Sequence, residues 1–233
     1  MPASNAAAVP VLTIDGPVSS GKGTVARLVA QRLGWHLLDS GLLYRLLGLH
    51  AQRRGVALDD EPALAELARG LPVEFCDRDG EGCALLEGED VSRLARDEKV
   101  GELASQVAVL QGVREALLAR QHAFATAPGL VADGRDMGTV VFRQAPLKIF
   151  LTASPEERAR RRYKQLKDKG FSANLPALIE DIRARDDRDM QRSVAPLRPA
   201  EDAIVIDSTQ MSVDEVVNRI LEEARQQSLV ARA

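Results

Sequence analysis

Cysteine is scarce in this chain, with only Cys76 and Cys83 among 233 residues. A metal site would need further ligands close by, and the three histidines lie elsewhere in the sequence. We therefore expect both cysteines to be reduced and structural, which is their usual state in the cytoplasm. From this we predict a cytoplasmic location.

A strong charge of one sign and a long apolar run are also missing. The formal net charge is −3, which argues against a general nucleic-acid-binding protein but leaves room for a local basic pocket. No apolar run approaches the length of a membrane span, and residues 1–9 lack the basic and apolar regions of a signal peptide. We therefore expect neither a nucleic acid nor a membrane as partner, and we expect flexible tails at residues 1–9 and 227–233.

The chain does contain a glycine-rich segment between an apolar strand at residues 11–14 and a helical pattern that starts at Thr24. Glycines let backbone N–H groups converge on an anion, and the N-terminus of a helix adds a partial positive charge. Lys22 would reach the β- and γ-phosphates of a nucleotide. A turn that merely starts the helix is the alternative, but this strand–loop–helix context favours phosphate binding. The predicted ATP-phosphate-binding residues are Gly16, Pro17, Val18, Ser19, Ser20, Gly21, Lys22, Gly23 and Thr24.

Apolar strand-like runs alternate with helical patterns along most of the chain. This order predicts an α/β fold in which helices cover both faces of a five-stranded parallel sheet. Ser154 begins a capping-box pattern with proline at the next position, which marks the start of a helix. The five predicted strands are residues 11–14, 35–38, 130–132, 148–151 and 203–206.

One interval, residues 55–129, is too long for a single crossover. Its first part resembles a hairpin with an Asp79-Gly80 turn, and one helix over residues 100–124 would lead back to the sheet. We therefore predict a small inserted lobe with antiparallel strands. The predicted boundaries are an α/β core at 10–65 and 105–226, which includes a lid at about 154–170, and the lobe at 66–104.

Charged residues follow two of the predicted strands. Ser40 and Arg45 come after the second strand, where Ser40 could cap a helix, contact a ligand, or do both. The segment 133–139 holds two acids and an arginine directly after the third strand. A solvated turn is the alternative, but ligands bind at the carboxyl ends of strands in such sheets, so a site is favoured there.

Two further clusters lie on predicted helices. Arginines at residues 158–162 form either a solvated face or a lid over phosphates, and the sequence leaves both open. Arg185, Asp189 and Arg192 fall on one helical face, and their composition alone favours a surface salt-bridge network.

At these residues the chain resembles the bacterial cytidylate kinases over nearly its whole length. The resemblance implies a P-loop nucleoside monophosphate kinase that transfers phosphoryl from ATP to CMP or dCMP with Mg²⁺, acts as a monomer, and carries the inserted lobe beside its monophosphate site. Ser19 stands where the family's loop usually has glycine, so a positive φ there would strain it mildly. The shared motifs are IDGP at 14–17, GKGT at 21–24, WHLLDSG at 35–41, LEGEDV at 86–91, ADGRDMGTVVF at 132–142 and RDDRD at 185–189.

The resemblance also implies roles for individual residues. A carboxylate at Asp136 suits the amino donor at N4 of cytosine, whereas uracil presents an acceptor there. The acceptor phosphate is already nucleophilic, so no general base is needed. The predicted roles are monophosphate binding by Arg45 and Arg135; cytosine binding by Ser40, Arg114, Asp136 and Arg192; pentose binding by Ser105, Arg185 and Asp189; charge stabilisation during catalysis by Lys22, Arg158, Arg161 and Arg162; and metal contact by Thr24 directly and Asp133 through water.

Three alternatives share parts of this pattern. An adenylate- or shikimate-type kinase has the same loop and sheet but does not explain the ADGRDMGTVVF motif at 132–142. A GTP-binding switch protein would need an N-K-x-D guanine motif, which is absent. A non-catalytic nucleotide-binding regulator is not excluded by the loop alone.

Overall fold

The computed structural model of the protein describes residues 9–78, 81–168, 170 and 172–229. Its strands are β1 (Val11–Asp15), β2 (His36–Asp39), β3 (Val73–Arg78), β4 (Glu81–Leu86), β5 (Glu89–Asp90), β6 (Leu130–Gly134), β7 (Leu147–Thr152) and β8 (Ile204–Asp207). Its helices are α1 (Lys22–Leu33), α2 (Ser40–Arg54), α3 (Glu61–Arg69), α4 (Glu98–Val107), α5 (Gln111–Ala123), α6 (Pro155–Asp168), α7 (Leu175–Gln191) and α8 (Val213–Gln226). A 3₁₀ turn at Leu94–Arg96 and a π-helical turn at Met137–Val141 complete the regular structure.

The predicted five-stranded parallel sheet is confirmed, with the strand order β2-β6-β1-β7-β8. β1 lies at the centre and is buried along its whole length between β6 and β7. Ile14 is level with Asp133, and Asp15 is level with Gly134. The segments that follow β1 and β6 therefore begin side by side at one edge of the sheet.

The chain packs into two compact units, each with its own apolar core. The first comprises the chain up to Leu38 together with the chain from Ala123 onward, and it contains the parallel sheet. In this unit, apolar residues of α1 and α8 pack with those of the strands; Val29 and Ile220 are examples.

The second unit, Asp39–His122, contains the three-stranded sheet β3-β4-β5 and helices α2 to α5. The antiparallel pairing confirms the predicted hairpin, while the turn residues Asp79 and Gly80 lie outside the described part of the chain. The predicted lobe at 66–104 falls inside this unit. The unit is wider than that lobe because Leu46 of α2 and Leu117 of α5 belong to the same core.

The prediction of one helix over residues 100–124 is wrong. The structure has two helices instead, because α4 ends at Val107 and α5 begins at Gln111. The turn between them allows Val107 and Val113 to enter the same apolar core, and both are fully buried.

The prediction of reduced cysteines is also wrong, because Cys76 and Cys83 form a disulfide in this structure. They face each other directly across the β3–β4 pair, with their Cα atoms 5.0 Å apart. Their spacing in the sequence gave no sign of this, since it becomes a cross-strand pair only through the register of the hairpin. The disulfide removes the cysteine argument for a cytoplasmic location.

The predicted start of α6 is correct, but its capping box is only half formed. The Glu157 N–H donates to Ser154 Oγ at 3.2 Å, as the pattern predicts. The reciprocal bond is absent because the Ser154 N–H donates to Thr209 Oγ1 and the Glu157 carboxylate accepts from Arg161. A complete capping box is found instead at α8.

The predicted tails at 1–9 and 227–233 lie largely outside the described residues, as does residue 169 of the predicted lid. Among the helices of the described ranges, none combines the length and hydropathy that a membrane span requires.

Candidate active site

The phosphate loop, residues 16–24, joins the end of β1 to α1. Glycine is the only residue type that fits at position 16, because a Cβ there would lie 2.1 Å from the carbonyl oxygen of Leu151 on β7. Gly21 precedes α1 with a left-handed φ of 90°, which also favours glycine. The loop can therefore approach the sheet edge closely before it opens into the helix.

Ser19 has a φ of 59°, the left-handed conformation that costs a residue with a Cβ some strain. The family's usual glycine would avoid that cost. This agrees with the expectation that serine is mildly strained here.

Lys22 is the first residue of α1, and its side chain is buried over the loop. Its Nζ donates to the carbonyl oxygen of Pro17 at 3.2 Å. The ammonium group thus lies above the loop backbone at the N-terminus of a helix, which is the place where an anion is stabilised.

Two arginines of α6 support the same loop from outside. Arg158 Nη1 donates to the Val18 carbonyl at 3.1 Å, and Arg161 Nη1 donates to the Ser20 carbonyl at 3.1 Å. Arg161 also binds the carbonyl and hydroxyl oxygens of Ser208, at 2.6 and 3.1 Å. These residues were predicted as lid arginines; in this structure they bind the loop backbone, while Arg162 lies half-buried on the same helix.

Arg158 is only 3% exposed and forms a two-pronged ion pair with Asp186 of α7. Its Nε donates to the carbonyl of Ala153 at 2.9 Å. A buried guanidinium with this many acceptors fixes α6 and α7 to each other and both to the phosphate loop.

The predicted metal residues lie at the start of α1 and the end of β6. The Asp133 carboxylate is buried, and its Oδ2 lies 3.2 Å from the place where a Cβ of Gly23 would stand. The neighbouring Thr24 is exposed. An acid therefore lies close to Gly23 of the loop, and glycine at this position leaves room for it.

The β6 turn, residues 135–141, carries two charge contacts to the end of α7. Arg135 Nε donates to Asp189 Oδ2 at 3.0 Å. Arg192 Nη2 lies 3.9 Å from Asp136 Oδ1, and both of these side chains are nearly buried. The structure thus brings together two pairs of predicted nucleotide-binding residues, and the members of each pair are distant in sequence, as are Arg135 and Asp189 at 54 positions. Arg185 lies on α7 one turn before Asp189.

A second carboxylate, that of Asp15, lies beneath this turn. Its Oδ1 accepts from the Met137 N–H and its Oδ2 from the Gly138 N–H, each at 2.8 Å. Burial raises the pKa of Asp15 to about 6, although the two N–H donors and Arg135 pull it down. Asp136 adds to the rise.

The other predicted nucleotide-binding residues belong to the second unit. Asp39, rather than Ser40, caps α2 by accepting from the Leu42 N–H at 3.0 Å, so Ser40 is a buried first-turn residue. Arg45 donates to the carbonyls of Ala95 and Asp97, each at 3.0 Å.

Ser105 and Arg114 lie on α4 and α5 of the same unit. Ser105 Oγ donates to the Gly101 carbonyl at 3.0 Å, and Arg114 donates to the Ala108 carbonyl at 3.1 Å. The Arg114 guanidinium also stacks 5.8 Å from the centre of the Tyr44 ring. These residues are held by backbone carbonyls, which orient each side chain.

Comparison with known proteins now identifies the family. Residues 12–226 match the family described as cytidylate kinase. The chain belongs to the cytidylate kinase family. Among its relatives, a cytidylate kinase of Stutzerimonas stutzeri (strain A1501) is 63% identical over 95% of this chain and 97% of its own length. A cytidylate kinase of Pseudomonas aeruginosa (strain LESB58) is 61% identical over 94% of this chain and 97% of its own.

A solved structure of a gluconokinase from Sinorhizobium meliloti 1021 aligns over 94% of both chains, with 15% identity and a TM-score of 0.47. That likeness is too remote to bear on the function of this cytidylate kinase family member.

Sequence reasoning missed two acids of this site, Asp15 and Asp186. Asp15 gave a signal that could have been used, since it is a carboxylate directly at the end of an apolar central strand. Asp186 gave none, because acids surround it in the sequence and only the packing of α7 on α6 distinguishes it from Asp187.

Proposed function

We propose that this protein transfers the γ-phosphoryl group of ATP to CMP or dCMP and releases ADP with CDP or dCDP. The observation that carries the proposal is a pair of charge contacts on a turn that starts beside the phosphate loop. In these contacts Asp136 lies near Arg192, and Arg135 donates to Asp189. Membership of the cytidylate kinase family supports the same chemistry.

Phosphoryl transfer depends mainly on positioning and on stabilising charge. In our proposal the phosphate loop binds the β- and γ-phosphates of ATP through its N–H groups, and Lys22 adds a positive charge over them. Arg158 and Arg161 bind the loop backbone, and together with Arg162 of the same helix they would stabilise charge during the transfer. Arg161 would reach the transferring group after leaving Ser208, whereas the ion pair of Arg158 with Asp186 suits it to holding the loop.

Two groups of residues are proposed for CMP recognition, on the family resemblance. In the first unit, Asp136 would accept a hydrogen bond from the N4 amino group of cytosine, and Arg192 would donate to the acceptor atoms of the base. Arg185 and Asp189 would bind the pentose, and Arg135 the monophosphate. In the second unit the proposed residues are Ser40, Arg45, Ser105 and Arg114.

Mg²⁺ is proposed as the metal that neutralises charge on the nucleotide phosphates. The residues present suit such an ion, because Mg²⁺ keeps several waters and takes few ligands from the protein besides the phosphates. Within the described residues no cluster of three or more His, Cys, Asp or Glu could hold a metal alone. Thr24 would contact the ion and Asp133 would contact it through water.

We further propose that the protein acts as a monomer in the cytoplasm. The support for the location is that its substrates, ATP and CMP, are intracellular nucleotides. The cysteines lend no support, because they form a disulfide in this structure.

A coupled assay of ADP release with a panel of nucleoside monophosphates tests the function. We expect turnover with CMP and dCMP, and much less with UMP, AMP and GMP. Absence of ADP release with CMP would contradict the kinase activity and favour a non-catalytic regulator, while turnover with AMP above CMP would favour an adenylate-type enzyme.

The Asp136→Asn variant tests the proposed recognition of the base in the same assay. An amide can present a donor to uracil, so the preference for CMP over UMP should narrow by about tenfold or more. The Asp187→Asn variant, an exposed acid on α7, serves as the control and should keep the wild-type preference. Unchanged kcat/KM for CMP in Asp136→Asn would remove Asp136 from the base site.

A further inference from the structure

The turn that carries Asp136 begins with an unusual cap. Asp136 occupies the position before the π-helical turn Met137–Val141, where an aspartate normally accepts from the first N–H groups of the helix. Its side chain makes no such capping hydrogen bond. The turn is closed instead by the Asp136 carbonyl, which accepts from Val140 and Val141 at 2.8 and 3.2 Å.

The capping bonds come from Asp15, on a different strand. Its two carboxylate oxygens accept the N–H groups of Met137 and Gly138, at 2.8 Å each. The Asp15 carboxylate therefore caps this turn, a role that the side chain of Asp136 would have in an ordinary helix. Oδ1 of the Asp136 carboxylate lies 3.9 Å from Nη2 of Arg192.

The close packing under the turn shows that its position is set tightly. A Cβ on Gly138 would lie 3.0 Å from Thr13 Oγ1 and 3.1 Å from the Lys148 side chain. The turn thus rests directly on β1 and β7, and Asp15 is its polar anchor in that contact. π-helical turns are rare and occur frequently at functional sites.

We propose that Asp15 is a positioning residue for cytosine recognition: by capping the β6 turn in place of Asp136, it fixes the backbone from which Asp136 reaches the base. This inference rests on the proposed function, in which Asp136 reads cytosine. Asp15 itself does not touch the nucleotide in this scheme. It acts only through the N–H groups of Met137 and Gly138.

The scheme requires the Asp15 carboxylate to be ionised. The ionised carboxylate accepts both N–H groups, whereas the protonated acid carries a hydroxyl hydrogen on one oxygen and is the weaker cap. With a pKa of about 6, Asp15 loses its full capping capacity in mild acid. The charged groups that act on it are Arg135 and Asp136, while Lys148 directs its ammonium to the Arg143 carbonyl and to Asp202.

The Asp15→Asn variant tests the proposal, because a positioning role predicts a larger change in the KM for CMP than in the KM for ATP. The amide nearly preserves shape, but its NH₂ group faces one of the two N–H donors. We expect the KM for CMP to rise by about tenfold and the CMP-over-UMP preference to fall, with the KM for ATP within about twofold of wild type. Thr13→Val is the matched control, because Thr13 Oγ1 lies beside the same turn and makes no hydrogen bond among the described residues.

The outcomes separate a positioning role from a general structural one. Equal rises in KM for CMP and ATP, or no change in either, would overturn the proposal. So would an equal loss of CMP-over-UMP preference in Thr13→Val. If Asp136→Asn narrows the preference and Asp15→Asn does not, only this inference fails; if neither does, the proposed base site fails as well.

The wild-type enzyme supplies a second test that needs no folded variant. The ratio of kcat/KM for CMP to that for UMP is measured from about pH 8 down to about pH 5.5, since the phosphates of the two substrates titrate alike and cancel in the ratio. We expect the ratio to fall through about pH 6 as Asp15 is protonated. A ratio independent of pH over this range would overturn the proposal.

Discussion

The phosphate loop and the β6 turn start side by side at one edge of the sheet, yet they are constructed differently. The loop is shaped by glycines within a single short stretch, such as Gly16 against the Leu151 carbonyl. The β6 turn takes its shape and its charge partners from distant segments, namely Asp15 on β1 and two residues at the end of α7. A local motif is enough to recognise the first, whereas the second depends on contacts that form only in the folded chain.

The phosphate loop also depends on one distant acid, because Arg158, which donates to the Val18 carbonyl, forms an ion pair with Asp186. Asp186→Ala would leave that guanidinium buried without its counter-charge, which should cost about 4 kcal/mol of unfolding free energy. Urea denaturation measures the loss. Asp187→Ala, at the exposed neighbouring position, should change stability by no more than about 0.5 kcal/mol. Equal small losses in the two variants would mean that the loop does not depend on this pair.

The local character of the loop is tested most directly by Lys22→Ala. Losing a charged contact to the transferring phosphoryl group should cost on the order of 3 kcal/mol or more, a drop in kcat of at least about a hundredfold. The fold should survive, since Lys22 is the first residue of α1 and its ammonium group donates to a backbone carbonyl, that of Pro17. Arg27→Ala, an exposed cation on the same helix, is the control and should retain wild-type turnover. Near-normal kcat in folded Lys22→Ala would contradict the phosphate-loop assignment.

The titration of the buried Asp15 carboxyl group should appear in stability as a function of pH. Burial raises the pKa of Asp15 in the folded state to about 6 from its ordinary value of 3.8, so the stabilising effect of protonation is complete below pH 3.8 and is lost as the pH rises through 6. Relative to Asp15→Asn, which does not titrate, the wild type should therefore lose about 3 kcal/mol between about pH 4 and pH 7. Parallel stability curves for the two proteins, measured by denaturation at each pH, would show that Asp15 does not titrate as proposed.

The smallest expected effect concerns the end of α7 and the sugar. Only ribose offers a 2′-hydroxyl, so Arg185→Met and Asp189→Ala should each change the CMP-to-dCMP ratio of kcat/KM, by about tenfold at most. Arg183→Met, on the same helix as Arg185, breaks an exposed ion pair with Glu156 of α6, and it should change neither the stability nor the kinetics measurably. A wild-type ratio in both Arg185→Met and Asp189→Ala would remove these residues from the proposed pentose site.

Much of the fold could be predicted from the sequence because its signals are local. The apolar runs specify buried strands, the alternation with helices specifies a parallel sheet, and the phosphate loop stands between a strand and a helix in one continuous segment. The helix break after Val107 escaped prediction, because both helices satisfy the same periodicity and only the shared core requires a turn between them.

What the sequence determined by itself is therefore the sheet, the loop and the family, since each rests on neighbouring residues or on a long contiguous match. Only the tertiary structure decided which acid caps the β6 turn, which acid pairs with Arg158, and whether Cys76 meets Cys83. The physical reason is common to all three. Each partner is chosen by strand register or helix packing, which brings together two groups whose chemistry is unremarkable until they are within hydrogen-bonding or bonding distance.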